Sequence, residues 1–199
     1  MKNLFTKILL KIRWMLRKKE SVPDINEKRQ LIDGIRQEHQ LKVMVETGTF
    51  FGDTVESFRE KFDTIISIEL SEDLANKAKA RFAGDPKISI LQGDSSVILA
   101  QLLKDMPTPV LFWLDGHYSS EFFIGDEFIK TAKGENNTPI VKELDIIFQS
   151  GVPSVILVDD ARLFTGRDDY PTIEQVKMQV KRYRNNARVF VEKDIIHII

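Results

Sequence analysis

From residue 42 onward, short apolar runs alternate with polar stretches of helical period. Residues 42–46, 64–70, 87–91, 110–114 and 154–158 are rich in Val, Ile, Leu and Phe with few polar interruptions. Such runs suit strands buried on both faces of a mostly parallel sheet. Helices are expected between them, over 71–82, from Thr138-Pro139 onward and over 172–183, with a polar helix over 25–39 ahead of the first strand. Ser71 followed by Glu72 and Asp73 is a helix start, because a hydroxyl can cap free N–H groups and acids suit the positive helix end. The last two runs, 188–191 and 195–199, are separated only by Glu192, Lys193 and Asp194. Three residues cannot carry a parallel crossover, so these two strands form an antiparallel hairpin. The expected fold is α/β: a Rossmann-like, doubly wound, mostly parallel seven-stranded sheet with a C-terminal antiparallel hairpin.

The pattern changes at the N-terminus. Leu4, Phe5, Ile8, Leu9, Ile12, Met15 and Leu16 recur at helical spacing among seven Lys and Arg residues, and no acid precedes Glu20. Two units are therefore expected, a basic amphipathic helix over 1–20 and one domain over 21–199. The helix suits peripheral contact, through residues 1–19, with an anionic membrane surface. The competing readings are a helix docked on its own domain or on a partner subunit, including a homodimer. A secretory signal is disfavoured by Lys7 and Lys11 and by the lack of a small-residue cleavage site. Location in the cytoplasm, peripheral at the inner face of the membrane, is the expectation. Twenty-nine basic residues nearly cancel thirty acidic ones, which argues against a nucleic-acid partner. The chain has no cysteine, which removes disulfides and thiolate metal sites.

Ligands of doubly wound sheets sit at the carboxyl ends of the strands. In this chain those ends read Glu46-Thr-Gly48, Glu69-Leu70, Gly93-Asp94-Ser95, Asp115-Gly-His117 and Asp159-Asp160. The first loop runs Glu46-Thr-Gly48-Thr-Phe-Phe-Gly52-Asp-Thr54. It is neither a Gly-x-Gly-x-x-Gly dinucleotide loop nor a Lys-Ser/Thr phosphate loop. A glycine loop beside an acid suits a cationic ligand without phosphate, such as S-adenosylmethionine. Glu46 is expected to balance its charge, Glu69 to accept from both ribose hydroxyls and Asp94 to accept from the adenine amino group. Asp94 is equally suited to cap the following helix. Gly48, Thr49, Gly52, Thr54, Ser95 and Asp115 complete the expected cofactor shell. A plain tight turn is the simpler reading of the glycine loop.

Glu46-x-Gly48-x-x-x-Gly52, Glu69 and Asp94, in this order, resemble the class I S-adenosylmethionine-dependent methyltransferases from about Lys42 to the C-terminus. Asp115 with Asp159-Asp160 resembles the metal-dependent O-methyltransferases of macrocin and aminocoumarin-sugar tailoring. The phrases VETGTFFGDT, FWLDGHYS, TPIVKEL and ILVDDARLF are similar to small uncharacterised bacterial relatives. The resemblance implies a divalent metal, Mg²⁺, on Asp115, Asp159 and Asp160, where oxygen-only ligands suit a hard cation. His117 and Asp115 are then the catalytic pair, with His117 as general base. Alternatively, Arg162 neutralises the aspartates with no metal, and His117 orients a carboxylate. Residues 121–137 read either as an aromatic lid or as a surface loop.

The function expected is O-methylation of a hydroxyl on a small molecule, sugar or glycan. The alternatives are a metal-independent or N-directed methyltransferase, or a non-catalytic S-adenosylmethionine-binding protein at a membrane.

Overall fold

The computed structural model describes residues 24–199 except 105, 107, 108, 119, 120, 125, 126, 133 and 135, and over 121–130 the backbone alone. The basic helix expected over 1–20 lies outside the described residues.

The first described helix, α1 (Ile25–Glu38), starts on Asp24, whose side chain accepts from the Asn26 amide. There follow β1 (Val43–Thr47), α2 (Asp53–Phe58), β2 (Thr64–Glu69), α3 (Glu72–Arg81), β3 (Ile88–Gln92), α4 (Ser95–Leu102) and β4 (Val110–Leu114). A two-stranded hairpin comes next, β5 (Glu121–Ile124) and β6 (Glu127–Lys130). Then come α5 (Ile140–Ser150), β7 (Ser154–Val158), α6 (Ile173–Tyr183), β8 (Val189–Glu192) and β9 (Ile195–Ile198). The main sheet has seven strands in the order β3-β2-β1-β4-β7-β9-β8. β3, β2, β1, β4 and β7 are parallel; β9 is antiparallel to β7 and to β8.

The alternation of strand side chains explains why the runs are apolar on both faces. On one face Val43, Val45, Phe112, Leu114, Ile156 and Val158 pack with Leu99, Leu144, Ile147 and Val180 from α4, α5 and α6. On the other, Met44, Ile65, Leu111, Trp113 and Leu157 pack with Ile32, Val55, Phe58 and Ala78 from α1, α2 and α3. At α3 the cap falls where the sequence places it. Ser71 accepts from the Leu74 amide at α3, and Thr172 and Gln175 form a reciprocal capping box at α6.

One element departs from the sequence reading. The β5–β6 pair lies in a segment read as a loop or lid, and it pairs only with itself in the described sheet order. Four-residue strands outside the main sheet fall below the length at which periodicity separates strand from loop.

Candidate functional site

The chain runs outward from β1 to β3 on one side and from β4 onward on the other. The carboxyl ends of β1 and β4 therefore form the switch point where such sheets open a crevice. A cavity of about 250 Å³ lies there, lined by Gly48, Glu69, Asp94, Ser95, Asp115 and His117 among others.

Two glycines shape the first loop. Gly48 has φ +89°, and a Cβ on it would lie 2.4 Å from the Asp115 carbonyl oxygen. Gly52 caps α2 at φ +82°, where a Cβ would lie 2.6 Å from the Phe82 ring. Only glycine takes both this backbone region and this proximity without strain. Phe50 also has positive φ, and its amide donates to Glu69 Oε2 at 2.8 Å. The other carboxylate oxygen of Glu69 accepts from the Ser71 amide at 2.9 Å. Glu69 thus clips the β1 loop to the start of α3 while facing the cavity. Burial raises its pKa, and those backbone amides oppose the rise. Asp94 accepts from the amide and the hydroxyl of Ser96 and caps α4. Its capping and its place in the lining coexist.

Glu46 sits elsewhere than expected. It is buried below the loop, outside the cavity lining, and accepts from Ser67 Oγ at 2.5 Å. Burial pushes its pKa up to about 8, with the charges of Asp115 and Glu69 adding to the rise. Thr49 is also buried, bonded to Ser67, and Gly52 and Thr54 likewise lie outside the lining. These residues build the loop from behind. Beneath the floor, α5 contributes the buried carboxyl of Glu143, which burial pushes up to about 7.

The roof comes from the segment after β6. Thr131, Gly134, Asn136 and Asn137 line the cavity. Asn137 ties this strap to the loop before α6. Its amide and side chain donate to Asp169 Oδ2, each at 3.0 Å, and its side chain also donates to the Asp168 carbonyl. Its carbonyl accepts from the Tyr118 amide at 2.8 Å.

The third zone is a charge cluster at the ends of β4 and β7. Neighbouring strands bring Asp115, Asp159 and Asp160 together, as the sequence implied. Asp194, from the β8–β9 turn, joins them. Lys28 of α1 enters their midst, its side chain 4% exposed. Its Nζ pairs with Asp159 Oδ1 and lies 3.6 Å from both Asp160 and Asp194. Arg162 pairs with Asp160 Oδ1 at 2.6 Å and with Asp194 Oδ2. His117 bridges Asp115, 3.1 Å from Nδ1, and Asp160, 3.2 Å from Nε2. Burial alone would depress the His117 pKa. The hydrogen bond and charge of Asp115, with Asp160 and Asp159, override it and raise the pKa to about 9. His117 is therefore an imidazolium at neutral pH, suited to holding carboxylates; it can accept a proton only after losing this one. Burial opposes the charge of Lys28, and Asp159 restores it, so its pKa is also raised.

Lys28 and Asp194 were absent from the sequence reading. Lys28 lies in a polar helix 131 residues from Asp159, and Asp194 looks like an ordinary turn residue. A buried Lys on the apolar face of α1 is the one available signal, because Lys is almost never fully buried unless paired.

No family model and no curated protein matches the chain. Solved structures do share its fold. The O-methyltransferase from Bacillus cereus in complex with S-adenosylhomocysteine superposes with a TM-score of 0.59 at 11% identity, covering 93% of this chain and 86% of that one. The S-adenosylhomocysteine-bound Podospora anserina methyltransferase PaMTH1 gives 0.57 at 13% identity, covering 94% and 84%. TomG, an O-methyltransferase of tomaymycin synthesis from Streptomyces achromogenes in complex with S-adenosylmethionine, gives 0.54 at 16%, covering 90% and 81%. The chain thus has the Rossmann-like fold of class I methyltransferases, with the terminal hairpin. No helix among the described residues is long and apolar enough to cross a membrane.

Proposed function

We propose that the chain is an S-adenosylmethionine-dependent methyltransferase acting on a hydroxyl of a small, polar acceptor. The observation that carries this reading is the shared cavity. Gly48, Glu69, Asp94 and Ser95 line one side, and Asp115 and His117 line the other. Glu69 suits a ribose diol, because the Phe50 and Ser71 amides fix its carboxylate at the cavity wall and a carboxylate has about four lone-pair sites to share. Asp94 and Ser95 suit the adenine edge. Gly48 lets the ligand approach the backbone closely. The bound cofactor supplies an electrophilic methyl on a sulfonium, which a hydroxyl oxygen displaces in line. This chain's residues then have two tasks, alignment and handling of the hydroxyl proton. Asp115 lines the cavity at the β4 end and is assigned as the acceptor for that proton. The His117 imidazolium holds the Asp115 carboxylate in place. The Asn136 amide in the lining favours a hydroxyl-bearing acceptor such as a sugar.

Mg²⁺ was the cation implied by the three aspartates. Among the described residues, donor atoms lie within 4.8 Å of one another in two groups, Asp115-His117-Asp160 and Asp159-Asp160-Asp194. The second group already surrounds Lys28 and carries Arg162. In the first, both His117 nitrogens are already engaged by carboxylates, Asp115 at Nδ1 and Asp160 at Nε2. A divalent ion needs ligand atoms that are open to it. These residues do not fit it, and the metal-independent reading is favoured.

Calorimetric titration tests the cofactor assignment. Saturable one-to-one binding of S-adenosylmethionine and S-adenosylhomocysteine is expected, with none of NAD. Failure of both to bind would overturn the proposal. Transfer from a labelled methyl donor to polyhydroxylated and amine acceptors, read by mass spectrometry, separates O- from N-methylation.

A further inference from the structure

We infer that the Lys28 ammonium is the resident cation of the carboxylate cluster, built into the chain where a divalent metal would otherwise be needed. Three observations converge. The Lys28 side chain is almost fully buried and contacts Asp159, with Asp160 and Asp194 at 3.6 Å each. These three aspartates are also a group whose oxygens lie close enough to share one metal ion. Lys28 comes from α1, whose Ile32 and Ile35 are packed in the core, so the ammonium is delivered by a fixed element.

Charge and chemistry support the substitution. Buried carboxylates this close repel unless a cation joins them. Arg162 covers the Asp160–Asp194 side, and His117 covers the Asp115–Asp160 side. Asp159 takes its cation from Lys28 alone among the described ion pairs. An ammonium offers three donors without demanding octahedral geometry, so it can serve three oxygens at unequal distances. Lys28 is thus a positioning residue. It fixes Asp159 and Asp160, and Asp160 in turn holds His117 at the cavity wall.

The test is Mn²⁺ binding by the whole chain, followed by electron paramagnetic resonance without a methyl donor. It is therefore independent of the methyl-transfer assignment. The wild-type chain is expected to leave Mn²⁺ free at a hundred micromolar. Lys28→Met is expected to take up one Mn²⁺ per chain, at least tenfold tighter than wild type, and Lys28→Met with Asp159→Asn to lose it again. Lys28→Arg keeps a cation in place and is expected to remain free of Mn²⁺. One tightly bound Mn²⁺ per wild-type chain, lost in Asp159→Asn, would overturn the inference. So would a folded Lys28→Met chain that binds none. If Lys28→Met does not fold, the wild-type and Lys28→Arg titrations decide alone.

Discussion

The two sides of the cavity are both acidic, yet they solve the problem of acidic burial differently. On the β1–β3 side, Glu69 and Asp94 are held by nearby amides: Phe50 and Ser71 for one, Ser96 for the other. Neither takes part in a described ion pair, which suits a cationic ligand. On the β4–β7 side, Asp115, Asp159, Asp160 and Asp194 face Lys28, Arg162 and His117. That side already has cations. Partial dipoles from backbone N–H groups orient a carboxylate without cancelling its charge, whereas an ammonium cancels it. The first side is thus suited to receiving a ligand, and the second to holding fixed charges beside it.

The largest expected break in this contrast is Lys28→Met. Removing one partner of a buried pair strands the other, so a loss of roughly 3 kcal/mol and a fall in Tm of about 10 °C are expected. Adding Asp159→Asn should recover part of the loss in a double-mutant thermal series. A Tm unchanged in Lys28→Met would mean that the second side does not depend on its cation. Glu69→Ala should act on ligand binding, weakening S-adenosylmethionine by about 30-fold, or roughly 2 kcal/mol, in a calorimetric titration. Unaltered affinity would remove Glu69 from the ligand shell.

Glu46 sharpens the comparison, because it is buried with neither solution in full. Below its ordinary pKa of 4.5 it is protonated in both folded and unfolded chains. Between there and about 8 the folded chain keeps a proton that the unfolded chain releases. Stability therefore falls as pH rises through that window. Glu46→Gln should raise Tm at pH 8 by about 5 °C and leave it nearly unchanged near pH 4, a relief of roughly 2 kcal/mol at the upper end. An identical pH profile in the variant would show that Glu46 ionises normally. The smallest effect is expected from Asn137→Ala. It removes the exposed side-chain bonds to Asp168 and Asp169, so Tm should fall by only about 2 °C. Hydrogen exchange over 131–137 should rise markedly; unchanged exchange would show that the strap is held by other contacts.

The β1–β3 side of the cavity was legible in the sequence because its parts are local. Apolar runs mark the strands, and Glu69 and Asp94 close two of them beside the amides they bind. The placement of Glu46 was not legible: a strand-end acid can point into a crevice or beneath it, and the partner that decides, Ser67, lies on the adjacent strand. The β5–β6 pairing was hidden by its brevity.

By itself, then, the sequence determined the strand and helix order, the antiparallel hairpin and the gathering of carboxylates at strand ends, since period, turn length and strand polarity are set by near neighbours. Only the tertiary structure decided what those carboxylates meet. Packing of Ile32 and Ile35 carries Lys28 across the sheet to Asp159, and docking of the Lys193-Asp194 turn places Asp194 beside Arg162. Pairing of charges at such separations depends on how whole elements pack, and no local pattern records it.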